Sequence, residues 1–261
     1  MEDGEWKSHI AVTAPDHALD FSQIATGQSQ VYGLLRETLN SLPSSERLLW
    51  LAGSPLLAAA AMRSPVGEQA IASLRAVIAE SGDCSSIVTD IAVERTRLLR
   101  GIRQGQGLPP ACEHGYLPSR AIGESNVDGA GALLLQEHNS AGFVADGSVP
   151  PDFLGNELGF LEFLVSQEAQ AWQQDDGRSA LALAEAQLAF LDNHVRRWIG
   201  PLQEAVRPEV SSGFWAAMLA LTETHLQMER EYLQQLLDSG AGDREDSDSG
   251  TTLIMGAEIH A

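Results

Sequence analysis

The chain is expected to fold as an all-α, single-domain helical bundle, and three observations carry that expectation. Apolar residues recur at steps of three and four through most of residues 21–237, the spacing that gathers them on one helical face. No alternating period-two segment flanked by turn residues occurs anywhere. The 261 residues, 44% of them hydrophobic, are enough to bury a full core.

Residues 1–20 are polar and without sustained period, and read as a flexible arm. From Phe21, the residues Ile24, Val31, Leu34, Leu35 and Leu39 share a face until Pro43 stops the run. Ser44 or Ser45 then caps a short helix holding Leu48, Leu49 and Leu51, which Gly53-Ser54-Pro55 ends. Ser64-Pro65 reads as an N-cap followed by a first helical residue, opening a stripe of Val66, Ala70, Leu74 and Val77. Ile87, Ile91, Leu98 and Ile102 mark another helix, whose outer face is expected to carry Glu94, Arg95, Arg97 and Arg100.

Between residues 103 and 151 glycine and proline recur, and only about Val127 to His138 has helical spacing. This stretch is expected to be a mobile connecting segment. Longer helices follow. Asp152 to Ala171 aligns Leu154, Leu158, Leu161 and Val165. The run Leu188, Leu191, Val195, Trp198, Leu202 reads as one stripe, and Phe214 to Tyr232 as another. Residues 238–261 read as an acidic, disordered tail.

Sixteen Lys and Arg against thirty-six Asp and Glu give a net charge of −20. Four net negative charges in residues 1–20 and four in 238–248 leave −12 on the remainder. A surface this acidic repels a phosphate backbone, which argues against nucleic-acid partners and favours basic ones. Plain solubility accounts for the charge nearly as well. Cys84 and Cys112 form no CxxC pair, so no disulfide framework and no structural metal are expected. The acidic N-terminus shows no apolar signal-peptide core. Leu48 to Met62, the longest apolar run, is too short and too broken to span a bilayer. A soluble, cytoplasmic protein is expected.

Catalytic patterns are missing from the sequence: no GxSxG, no Walker loop, no GxGxxG and no paired Glu-x-x-His. His225 lies on an apolar stripe and reads as a core-edge histidine bonded to Glu229. Asp192 and Glu185 read as solvated charges rather than an acid–base pair. The chain is expected not to be an enzyme and to need no cofactor.

One local pattern stands out: Val149-Pro150-Pro151-Asp152-Phe153-Leu154-Gly155-Asn156-Glu157-Leu158-Gly159-Phe160-Leu161. Two prolines stiffen the approach, and Asp152 is placed to cap the following helix through the N–H of Leu154 or Gly155. Glu157 falls on a face otherwise apolar. The stretch resembles the P-x-D-H-L-x-x-E-L-x-F-M signature of the TorD/DmsD family, the cytoplasmic maturation chaperones of exported molybdenum oxidoreductases. Glu94 to Gly101 with Pro109-Pro110, Glu113 and Tyr116 is similar to the family's E-x-x-R-L-F-x-G … P-P-x-E-x-x-Y segment. Phe190 to Val195 with Trp198 is similar to F-L-x-x-H-L-x-x-W, and Phe214-Trp215 stands where an aromatic pair opens the last long helix. Three positions depart: Phe153 replaces the motif histidine, Val149 an acid, and Leu99 a phenylalanine.

The resemblance implies a TorD-like bundle. It also implies a chaperone that binds the twin-arginine signal peptide of a molybdopterin oxidoreductase precursor, and holds it for cofactor insertion before Tat export. On that reading Pro150, Pro151, Asp152, Phe153, Glu157 and Tyr116 bind the peptide, acidic groups beside apolar ones. The alternatives are a NarJ-type assembly chaperone for a membrane-associated nitrate reductase, and a helical adaptor or ligand-binding bundle using His225. The expected partner is the precursor of the catalytic subunit, with the chaperone a monomer or homodimer.

Overall fold

The computed structural model describes residues 20–61, 64–80, 84–101, 107–117 and 126–248. Of these, 81% are α-helical and none forms a strand. The bundle is all-α. The expected arm lies outside the described residues, apart from Asp20.

Helix α1 (Phe21–Asn40) opens on Asp20, whose carboxylate accepts the N–H groups of Ser22 and Gln23. Ser44 caps α2 (Ser45–Gly53) by accepting from Arg47 N–H. Ser54 accepts from Leu57 N–H and starts a further short helix, α3 (Pro55–Ala61). Ser64 accepts from Gly67 N–H at 3.0 Å and starts α4 (Pro65–Glu80). Three serines, each ahead of a helix start, set the punctuation of this half. Then come α5 (Cys84–Leu98), a single turn α6 (Glu113–Tyr116) and α7 (Asn126–Ala141). The second half holds α8 (Leu154–Gln173), α9 (Gly177–Asn193), α10 (Val195–Val206), a 3-10 turn (Arg207–Glu209) and α11 (Phe214–Asp248).

Helices α1 and α8 are the main packed pair. Ser29 and Ser166 hydroxyls lie 2.7 Å apart, and Arg36 Nε donates to Glu162 at 2.5 Å. At Gly155 the backbone of α8 passes close to the Asn40 side chain, and an added Cβ would lie 1.8 Å from Asn40 Oδ1. Helix α9 covers another side of α8 through Phe160 against Phe190, 4.8 Å between ring centres, and Gln187 donating to Glu168 at 2.7 Å.

Three sequence expectations are corrected. Glu94 and Arg95 do not face solvent; they are 2% and 5% exposed. Glu94 accepts from the N–H and hydroxyl groups of Ser211 and Ser212, tying α5 to the approach of α11. Arg95 donates to the carbonyls of Leu39 and Asn40, the free C-terminal acceptors of α1. Second, the stripe from Leu188 to Leu202 is two helices, broken at His194 (φ −121°, ψ −104°). Third, α11 runs through Asp248, so the segment expected to be a tail from 238 begins as helix, and 249–261 lie outside the described residues. Within the connecting segment, the expected short helix is α7, and Ala111, Cys112, Leu134 and His138 are buried.

Candidate functional site

The proline-rich box and the 107–117 segment are built into each other. Cys112 and Phe153 form an isolated antiparallel bridge. Glu113 N–H donates to Asp152 O at 2.9 Å, and Leu154 N–H to Ala111 O at 2.9 Å. Gly101 permits the approach: at φ +65° it turns the chain tightly against Pro110, where a Cβ would lie 2.8 Å from Cδ. Tyr116 closes its own turn by donating to Pro109 O at 3.0 Å.

Asp152 does not cap α8. Its Oδ2 accepts from His114 N–H at 3.0 Å and lies 2.5 Å from His114 Nδ1, so it caps α6 instead. The N-cap residue of α8 is Phe153, which makes no side-chain cap bond. The bridge between the two segments aims the carboxylate back toward the 113–116 turn, away from its own helix.

Phe153 is 1% exposed, with the Arg100 guanidinium 5.7 Å from its ring centre. Glu157 is fully buried; Oε2 accepts from Trp198 Nε1 at 3.1 Å, while Oε1 makes no hydrogen bond among the described residues. Burial, then the charges of Glu113 and Asp152, hold the Glu157 carboxyl well above the usual range despite the Trp198 bond. Trp198 is also the platform on which Tyr116 stacks, with ring centres 6.0 Å apart and planes 19° from parallel. Burial pushes the Tyr116 phenol up to about 12.

The break before α10 gives His194 its role. Nδ1 lies 2.9 Å from Glu113 and Nε2 3.3 Å from Glu137, so one imidazole joins α6, α7 and α9. Burial works against its charge, but the hydrogen bonds and charges of Glu113 and Glu137 prevail and raise its pKa. Next to it His138 is wholly buried among Phe143, Phe160 and Phe190, and neither ring nitrogen is hydrogen-bonded among the described residues. Burial lowers its pKa to about 4.

The fold therefore joins Tyr116, Asp152, Phe153 and Glu157, and leaves Pro150 exposed and Pro151 half-buried above them. Sequence reasoning overlooked His114 and Asn156. Asn156 shapes the loop into the box: Oδ1 accepts from Asp146 N–H at 2.9 Å, and Nδ2 donates to Asp146 O and Pro150 O. Its signal was its place inside the box, one turn before Phe160. Outside this loop opens a cleft of about 410 Å³ whose lining includes Phe143, Val144, Asp146, Phe163 and the Arg36–Glu162 ion pair. Nothing here equips a nucleophile: the Cys112 thiol is buried and pushed far up by burial and by Asp152 and Glu157.

The family model described as nitrate reductase delta subunit matches residues 61–204, more than half of the chain and all of this site. The chain belongs to that family. It is the NarJ- and TorD-like family of redox-enzyme maturation, whose members are assembly chaperones and not enzymes. No curated protein and no solved structure gives a significant match. The chain is thereby a molybdoenzyme assembly chaperone. Asp192, held below its usual range by bonds from Arg230 and Arg196 that outweigh burial, is ion-paired rather than poised for proton transfer. No described helix is long and apolar enough to cross a membrane.

Proposed function

We propose that this chaperone binds, in the cytoplasm, the twin-arginine signal peptide of a molybdopterin oxidoreductase precursor, and holds it until cofactor insertion precedes Tat export. The observation that supports this most is the cleft on the outer wall of the box. Phe143, Phe163 and the 86% exposed Val144 offer an apolar floor, and Asp146 offers a carboxylate beside it, while Glu162 on the same wall is already ion-paired with Arg36. A peptide of two arginines and an apolar run needs both. Pro150 and Pro151 continue the loop from Asp146, and the half-buried Tyr116 packs on Trp198 rather than lining the cleft. Asp152, Phe153 and Glu157, being buried, act by fixing the loop's shape.

Titration calorimetry with such a peptide and its double-lysine version tests the reading. Asp146→Asn should lose a charge-assisted contact of about 1.5–3 kcal/mol, roughly ten- to hundred-fold in affinity. Equal binding of both peptides, with the Asp146→Asn variant unchanged, would refute it. Membership of the nitrate reductase delta subunit family favours a second reading, a NarJ-type chaperone acting on a vestigial signal of a membrane-associated nitrate reductase. The precursor that co-purifies with the chaperone decides between them.

A further inference from the structure

Cys112, His114 and Asp152 each present one ligand atom, and these atoms all lie within 4.8 Å of one another. The sequence spreads them over two segments, and the Cys112–Phe153 bridge brings the segments together. We propose that these three side chains form a zinc-binding site. A thiolate sulfur, an imidazole nitrogen and a carboxylate oxygen are zinc's donor set, whereas magnesium and calcium ask for oxygen alone.

Zinc–ligand bonds of about 2.0–2.3 Å need the farthest donors to close by about an ångström, and His114 Nδ1 and Asp152 Oδ2 to part by nearly as much from 2.5 Å. Two of the ligands are almost wholly buried, and His114, at 21% side-chain exposure, is the way in. Metal entry displaces the thiol proton to solvent, and the metal takes the place of the hydrogen bond between the His114 ring and Asp152. One thiolate and one carboxylate then balance the two charges of the ion. The His114 N–H bond to Asp152 is retained and orients that ligand from outside. Three protein ligands leave zinc's fourth position to water. The site would pin the α6 turn to the start of α8.

The test is metal content and spectroscopy of the full chain, stripped with a chelator and reloaded with Zn²⁺ or Co²⁺ alone. One equivalent per chain, a raised melting temperature and a thiolate-to-cobalt charge-transfer band are expected. Cys112→Ser should abolish the band and Cys84→Ser should leave it. Because Cys112 is buried, His114→Ala is the second variant; with its circular dichroism unchanged, it should weaken zinc by at least about tenfold. Substoichiometric zinc overturns the site, and so does a full equivalent whose cobalt spectrum survives both Cys112→Ser and His114→Ala. No peptide enters these measurements, so their failure leaves the peptide reading untouched.

Discussion

One oxygen of Asp152 takes both the backbone N–H and the ring nitrogen of His114, at 3.0 and 2.5 Å, across thirty-eight residues of chain. A carboxylate that caps a turn from another segment stabilises the contact between the segments as well as the turn. Asp152→Ala should therefore cost about 1–3 kcal/mol, the loss expected for orphaning a buried donor. Asp152→Asn keeps a cap acceptor and should cost less. Urea denaturation of both variants checks this; equal losses would mean that the cap bond contributes nothing.

Glu157 carries its proton to a higher pH when folded than when unfolded. Its contribution to stability is then fully present below the ordinary carboxylate range and is lost as pH rises through the folded value. Glu157→Gln keeps an oxygen for Trp198 and cannot ionise. It should raise the melting temperature, by about 2–4 °C for each kcal/mol recovered, and by more at pH 8 than at pH 5. A gain confined to acid pH would contradict the assignment.

His138 shows the opposite sign. Its folded pKa is lowered to about 4, so the stability tied to its neutral form is present above the usual histidine value of 6.5 and is lost as pH falls toward 4. His138→Leu removes two unsatisfied ring nitrogens from an aromatic pocket. A gain of roughly 1–3 kcal/mol at neutral pH is expected, with the acid-unfolding midpoint moved lower. Acid titration followed by circular dichroism reads both.

At Gly155 the α8 backbone lies against the side chain of Asn40 on α1. Alanine favours helix over glycine, yet Gly155→Ala should destabilise by about 1–3 kcal/mol because its methyl group would overlap Asn40 Oδ1. Adding Asn40→Ala should restore much of the loss. Additive losses in the double variant would place the clash elsewhere.

Most helices were legible because each buries a stripe that its own spacing declares, and because Ser44 and Ser64 cap from the next position in sequence. What local rules misjudge is partnership at long range. Glu94 and Arg95 read as outer charges, since charged helical residues default to solvent, but their partners lie 117 and 56 residues away. Asp152 obeys the same lesson: the nearest helix start seemed its natural client, and the actual one sits on another segment. The break at His194 was hidden because the apolar step continues across it while the backbone does not. Of the proposed peptide residues, Glu157 was rightly placed on a buried face, but the burial of Asp152 and Phe153 follows from a bridge that no periodicity reports.

The pairing of α1 with α8 sets a timetable for synthesis. Ser29 and Arg36 meet Ser166 and Glu162 more than 120 residues later. At the ribosome's pace of about 5–20 residues per second, the first helix waits on the order of ten seconds for the surface that covers it. Through that interval its apolar stripe of Val31, Leu34, Leu35 and Leu39 stands open on the nascent chain. A chaperone for other proteins thus passes through a stage in which its own leading helix needs shelter, and a transcript cut short before α8 would release a product that never leaves that stage.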